Sequence, residues 1–124
     1  MTQETLLIDE FARCAPWLMS AIEYNGGECS LADVYEGIST GTYALMGGKA
    51  SALVLEPVTH KSGKRVLNFF LAGGDLQELK EMERQVCEWA RVGGFDSVAI
   101  FGRRGWLKRL DGYTEQAVYM EKKI

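Results

Sequence analysis

The stretch Phe70 to Val86, FLAGGDLQELKEMERQV, runs from an apolar, strand-like segment through Gly73 and Gly74 into an amphipathic helix. Strand, glycine turn and helix together form the arrangement in which backbone N–H groups and a helix N-terminus cradle a phosphate. The two glycines would let such a ligand approach the main chain closely. Arg103, Arg104, Lys108 and Arg109 are the cations that would neutralise it if they reach this edge of the sheet. Against that, Asp75 and Glu78 place two carboxylates in the first helical turn, where they satisfy the free amides and the positive end of the helix dipole. An incoming anion would meet a like charge at ~4 Å, which costs on the order of 1 to 4 kcal/mol depending on the effective dielectric.

Other chemistry is thinly represented. Cys14, Cys29 and Cys87 are odd in number and lack C-x-x-C spacing, and His60 is the single histidine. These scattered residues make neither a zinc site nor a disulfide framework. Cys87 falls on the apolar side of a helix and reads as a small buried hydrophobe. His60 lies in THKSGK, a polar turn, and reads as a solvated histidine rather than the partner of a nucleophile.

The elements that must position these residues follow from spacing. In APWLMSAIEYNGG, Pro16 marks an expected helix start and Gly26-Gly27 its end, with Trp17, Ala21 and Tyr24 on one stripe. In SLADVYEGISTG, Ser30 and Asp33 form a capping box, and Leu31, Val34, Tyr35 and Ile38 recur at helical spacing. TYALMGGKASALVLEPV reads as two strands joined at Gly47-Gly48. RVLNFFLA makes a third strand after the KSGK turn, and its continuous apolar run implies cover on both faces.

The helix over 75–92 carries Leu76, Leu79, Met82, Val86 and Trp89 as its apolar stripe, with Asp75 capping, Glu78 three residues on and Gly93-Gly94 ending it. Strand 64–72, this helix and strand 96–101 then form a βαβ crossover. A short helix around GWLKRL and a last strand, QAVYMEKK, complete the expected order. No repeat or linker divides the chain, so residues 1–124 read as one domain.

At 124 residues, 47% hydrophobic and 25% charged, the chain has the composition of an ordinary globular domain. The net charge of −3 gives no global attraction to nucleic acid, and GRRGWLKR alone carries too few cations to imply it. No apolar run approaches the ~20 residues of a membrane span, and MTQETLLIDEF lacks a basic region followed by an apolar one. The expectation is a soluble protein made and kept in a cytoplasm.

Two N-terminal helices, a meander, a long helix crossing to a parallel strand, a short helix and a final strand resemble the GNAT (acyl-CoA N-acyltransferase) fold along nearly the whole chain. The likeness is sharpest in LAGGDLQELKEMERQVCEWARVGGFDSVAIFGRRGWLKRLDGY, which is similar to small GNAT-like proteins of tailed bacteriophages and prophages. The resemblance implies an α+β fold, with a mixed sheet built from an antiparallel meander plus a βαβ crossover and helices on both faces. It also implies a coenzyme A site at Leu71, Ala72, Gly73 and Gly74, with Arg103 and Arg104 as cations.

The chain departs from that family at two places. GNAT enzymes carry a Q/R-x-x-G-x-G/A motif before the long helix, whereas only AGGD stands between Leu71 and the helix here, without the leading Gln or Arg. They also place a tyrosine acid in the helix after the fifth strand. Trp106 is the nearest aromatic here, an indole is no proton donor, and the role falls to Tyr113 or Tyr119 if either has moved into it. Asp33, Glu36 and Glu56 lie near the expected cleft as candidate bases, Glu56 among the weak catalytic candidates with the two tyrosines. The favoured expectation is therefore a degenerate GNAT-fold protein with no cofactor, binding a virion or host protein in the cytoplasm of a bacterial host or in the virion. The alternative is an N-acetyltransferase that uses acetyl-CoA through an atypical loop.

Overall fold

A computed structural model of the chain describes residues 3–24, 27–100, 109–117 and 120–124. The first helix, α1, spans Gln3–Tyr24 and carries Pro16 in its interior. The sequence predicts a helix start at Pro16, and the structure places that start a dozen residues earlier. An interior proline costs about 3 kcal/mol through its lost N–H and its ring clash. The helix nevertheless continues because Cys14, Leu18, Ala21 and Ile22 are buried in one stripe against the sheet. Tyr24, expected on that stripe, is exposed.

Helix α2 spans Leu31–Thr40 and starts at the capping box expected from the sequence, with the Ser30 side chain accepting from the Asp33 amide and the Asp33 carboxylate accepting from the Ser30 amide. The phenyl ring of Phe11 on α1 meets Tyr35 on α2 edge to face at 5.2 Å between centroids.

Strands β1 (Ala44–Gly47), β2 (Ser51–Thr59) and β3 (Arg65–Gly74) form the antiparallel meander, and β4 (Ser97–Ile100) adds to β3 in parallel, giving the sheet order β1-β2-β3-β4. Between β3 and β4 runs α3, Leu76–Val92. The crossover is fastened at its far end: Arg65 and Asp96 exchange main-chain and carboxylate hydrogen bonds of 2.8 Å, and the Arg65 guanidinium lies 4.3 Å from the Phe95 ring.

The architecture is α+β with helices on both faces of a mixed sheet, the arrangement the resemblance implied. Ala52 and Val54 of β2 point to α1 and α2, while Leu53 and Leu55 point to α3. Strand β3 would present Leu67, Phe69 and Leu71 on one face, but the pairing slips at this point. Val54 sits opposite Leu71 and Leu55 opposite Phe69, so Phe70 is an extra residue. This bulge sends Leu67 and Phe69 to the α3 core and Leu71 to the α1 core. The Phe70 ring stacks on Tyr43 at 4.7 Å.

Two expectations are corrected here. On α3 the buried stripe is Leu79, Met82, Val86 and Ala90, and Trp89 is 56% exposed. At about 100° per residue Trp89 falls about 20° beyond Met82, just outside the edge of the stripe, while Ala90 lies within it. The last strand is absent among the described residues: 114–117 and 120–124 have no regular structure. Alternation along QAVYMEKK describes two faces but does not supply a neighbouring strand. The chain before it is instead tied to α3, with Leu110 buried and the Tyr113 hydroxyl bonded to Glu83. The expected helix around GWLKRL lies outside the described residues except for Arg109 and Leu110.

Candidate functional site, the clasped start of α3

Asp75 is the N-cap of α3, and its carboxylate accepts from the Glu78 amide at 2.9 Å. Its own amide does not bond to Glu78, as a capping box would require. The Asp75 N–H instead donates to the Ser51 hydroxyl at 2.9 Å and the Ala50 carbonyl at 3.1 Å. Glu78 is thereby released to reach across to the β1–β2 turn. Its two oxygens accept from consecutive amides, Lys49 N–H and Ala50 N–H, each at 2.9 Å. The Ala50 amide first, then the neighbouring Ser51 side chain and the Lys49 amide, hold the Glu78 carboxyl below the usual range.

Arg13 of α1 secures the other side of the same turn. Its guanidinium donates to the Gly48 carbonyl at 2.7 Å, pairs with Glu10 at 2.6 Å and lies 5.6 Å from the Trp17 ring. A surface groove of about 510 Å³ runs beside the turn, lined in part by Arg13, Met46, Lys49, Glu78, Glu81 and Met82.

The glycines of the expected phosphate turn are used for packing. A Cβ on Gly73 would strike the Trp17 carbonyl oxygen, where α1 crosses β3. Gly74 has φ +118°, and a Cβ there would strike the Ala50 carbonyl oxygen and the Ser51 backbone. Leu71 is buried in the α1 core and Ala72 packs against the α3 core. The backbone of these residues pairs with Ser51–Val54 on one side, while the described pairing with β4 covers only Val66–Phe69 on the other. Arg103, Arg104, Lys108, Trp106 and Tyr119 lie outside the described residues, and Arg109 is exposed.

The remaining candidates are not brought together. Glu56 is half-buried on β2 opposite Asn68. Alternation places it on the α1 side, where burial first and the Glu56 charge second push the Tyr43 phenol up. Asp33 is held low by its bonds to Ser30 and serves the α2 cap, and Glu36 is exposed. Tyr113 lies across the sheet, beside α3. Its hydroxyl donates to Glu83 at 3.2 Å, and Cys87 donates to the same oxygen at 3.1 Å. Burial, reinforced by the Glu83 charge, pushes the Tyr113 phenol far up. His60 is exposed in the turn closed by His60 and Lys64.

The sequence did not signal the contacts of Glu78 and Arg13 with the β1–β2 turn. Those partners are 28 to 35 positions apart, and no local spacing encodes them.

The fold defined here has solved counterparts. No protein-family model matches the chain, and no curated protein matches it. Among solved structures, TTHA1254 of Thermus thermophilus matches over 77% of this chain and 79% of its own, at 16% identity and a TM-score of 0.51. A mutant of the same protein gives 15% identity, 77% and 80% coverage and a TM-score of 0.53. At that identity the likeness concerns the fold alone.

Proposed function

We propose that this protein is a GNAT-fold chain of phage or prophage type whose coenzyme A site is closed, and that it works by binding another protein rather than by acyl transfer. The observation that carries this reading is the state of the α3 N-terminus. Asp75 and Glu78 meet its positive end, and the β1–β2 turn is hydrogen-bonded across it. A pyrophosphate would have to displace two carboxylates and break the turn's contacts before reaching the amides it needs. The protein partner is a virion or host component, and the working place is the bacterial cytoplasm or the virion.

A second reading, an acetyl-CoA-dependent N-acetyltransferase, is favoured by the Phe70 bulge. Bulges re-aim main-chain groups beside active sites, and amides of β3 next to it would orient a thioester. Thermal melting in the presence of millimolar acetyl-CoA separates the two. The closed-site reading expects an unchanged Tm. The enzyme reading expects a rise of several degrees, because a ligand at a hundred times its Kd adds about 2.7 kcal/mol.

A further inference from the structure

Helix α3 starts beside the β1–β2 turn and runs along the sheet in the direction of β2. It ends where the Arg65 guanidinium donates to the Gly93 carbonyl at 2.9 Å. At about 100° per residue, Glu78, Gln85, Trp89 and Val92 fall within about 60° of one another around the helix. Glu78 and Gln85 line the groove beside the β1–β2 turn, so Trp89 and Val92 continue that flank toward the other end of the sheet. Both are exposed, Trp89 by 56% and Val92 by 82%.

The sheet beside this flank is uncovered among the described residues. Strand β1 reaches only to Leu55 of β2, so residues 56–59 pair with β3 alone. Alternation puts Pro57 and Thr59 on the α3 face with Leu53 and Leu55, yet both are exposed. Met82 shares the groove with Met46, which lies opposite Leu53. From Met82 to Trp89 the helix advances about 10 Å, or roughly three strand residues, which brings Trp89 level with Pro57. Trp89 and Val92 therefore wall a corner whose floor is Pro57 and Thr59.

The outer end of this corner is basic. His60, Lys61 and Lys64 are exposed in the turn that follows Thr59, and Arg65 stands opposite Thr59. The Arg65 guanidinium is bonded to a carbonyl rather than a carboxylate, while Asp96 accepts from the Arg65 amide. Lys61 and Lys64 have no ion pair among the described residues.

We propose that this corner docks an acidic segment of a partner protein, with one large apolar side chain of the segment against Trp89, Val92 and Pro57 and its carboxylates on Lys61, Lys64 and Arg65. This rests on the protein-binding reading above and gives the partner its chemistry. An exposed tryptophan beside cations has the composition of a binding anchor, and charge complementarity sets the partner's sign. Nucleic acid phosphates would meet the same cations, but the net charge of −3 and the aliphatic Val92 and Pro57 favour a segment that carries both carboxylates and an apolar side chain.

The test is a ¹⁵N–¹H NMR titration of the full chain with a blocked synthetic peptide, Leu-Phe flanked on each side by three glutamates. Saturable shifts are expected at the Trp89 indole N–H and at the amides of Val92, Lys61 and Lys64, with a Kd between about 10 μM and 1 mM. Binding weakens at least ~5-fold from 50 to 500 mM salt, since exposed charges are screened. Trp89→Ala and the double variant Lys61→Glu, Lys64→Glu each weaken it at least ~5-fold with the far-UV spectrum unchanged. If the double variant misfolds, the salt dependence decides the role of charge. No saturable shift at about 2 mM peptide overturns the proposal, as does equal binding of the peptide with glutamines for glutamates, or wild-type affinity in Trp89→Ala. Tighter binding of a ten-nucleotide oligothymidylate at the same amides overturns it in favour of nucleic acid. Shifts of these amides on dilution of the protein alone overturn it in favour of a second copy. The acetyl-CoA melt reads the opposite end of α3, so a rise in Tm sinks the closed site without moving these amides, and a silent peptide sinks this surface while leaving the site closed.

Discussion

Glu78 receives one amide on each carboxylate oxygen, from residues 28 and 29 positions earlier in the chain. Replacing it with Gln leaves one accepting oxygen and sets an NH2 against the other donor, so one turn amide loses its partner. Glu78→Gln is expected to lower Tm by roughly 2–5 °C at neutral pH. The pH dependence has a definite sign. Because the folded-state value lies below the ordinary 4.5, the stabilisation is complete above 4.5 and is lost as pH falls through the lowered value. Melting curves between about pH 7 and pH 3 should show wild type and Glu78→Gln converging at the acid end. Cys87 offers a second check at this scale. Burial, aided by the Glu83 carboxylate, pushes its thiol up to about 11. At pH 8 about one molecule in a thousand carries the thiolate, so labelling of Cys87 by a disulfide reagent should be at least ~100-fold slower in the folded protein than in urea.

The elements are held by contacts of unequal legibility. Gly74 cannot accept a Cβ because of both its φ of +118° and the Ala50 carbonyl beside it. Gly74→Ala is therefore expected to cost at least ~2 kcal/mol, and Leu18→Ala, at a fully buried position of α1, about 2–5 kcal/mol. Urea denaturation measures both. The caps are readable because they are local: Ser30 with Asp33, and Asp75 before α3, act within three residues. The start of α1 is not, since Pro16 carries a start signal that burial of Cys14, Leu18 and Ile22 overrides. The Phe70 bulge is equally silent, because its apolar run looks the same with or without an extra residue. Trp89 is misleading because a tryptophan near an apolar stripe reads as part of it, while geometry gives the buried place to Ala90.

For the whole molecule, the order of helices and strands through Ile100 follows from periodicity and turn residues. What the sheet positions, a turn laid across the α3 N-terminus and hydrogen-bonded to it, arises from three elements meeting, α1, the β1–β2 turn and α3. No helix among the described residues is long and apolar enough to cross a membrane, and none of their His, Cys, Asp and Glu side chains gather in threes to hold a metal. The central claim, that the protein's own carboxylates fill the place of a nucleotide tail, is tested most directly by a ¹⁵N–¹H NMR titration with acetyl-CoA. The amides of Lys49, Ala50 and the first turn of α3 are expected to keep their positions through millimolar ligand. Saturable shifts at those amides, with Glu78 released from the turn, would contradict it.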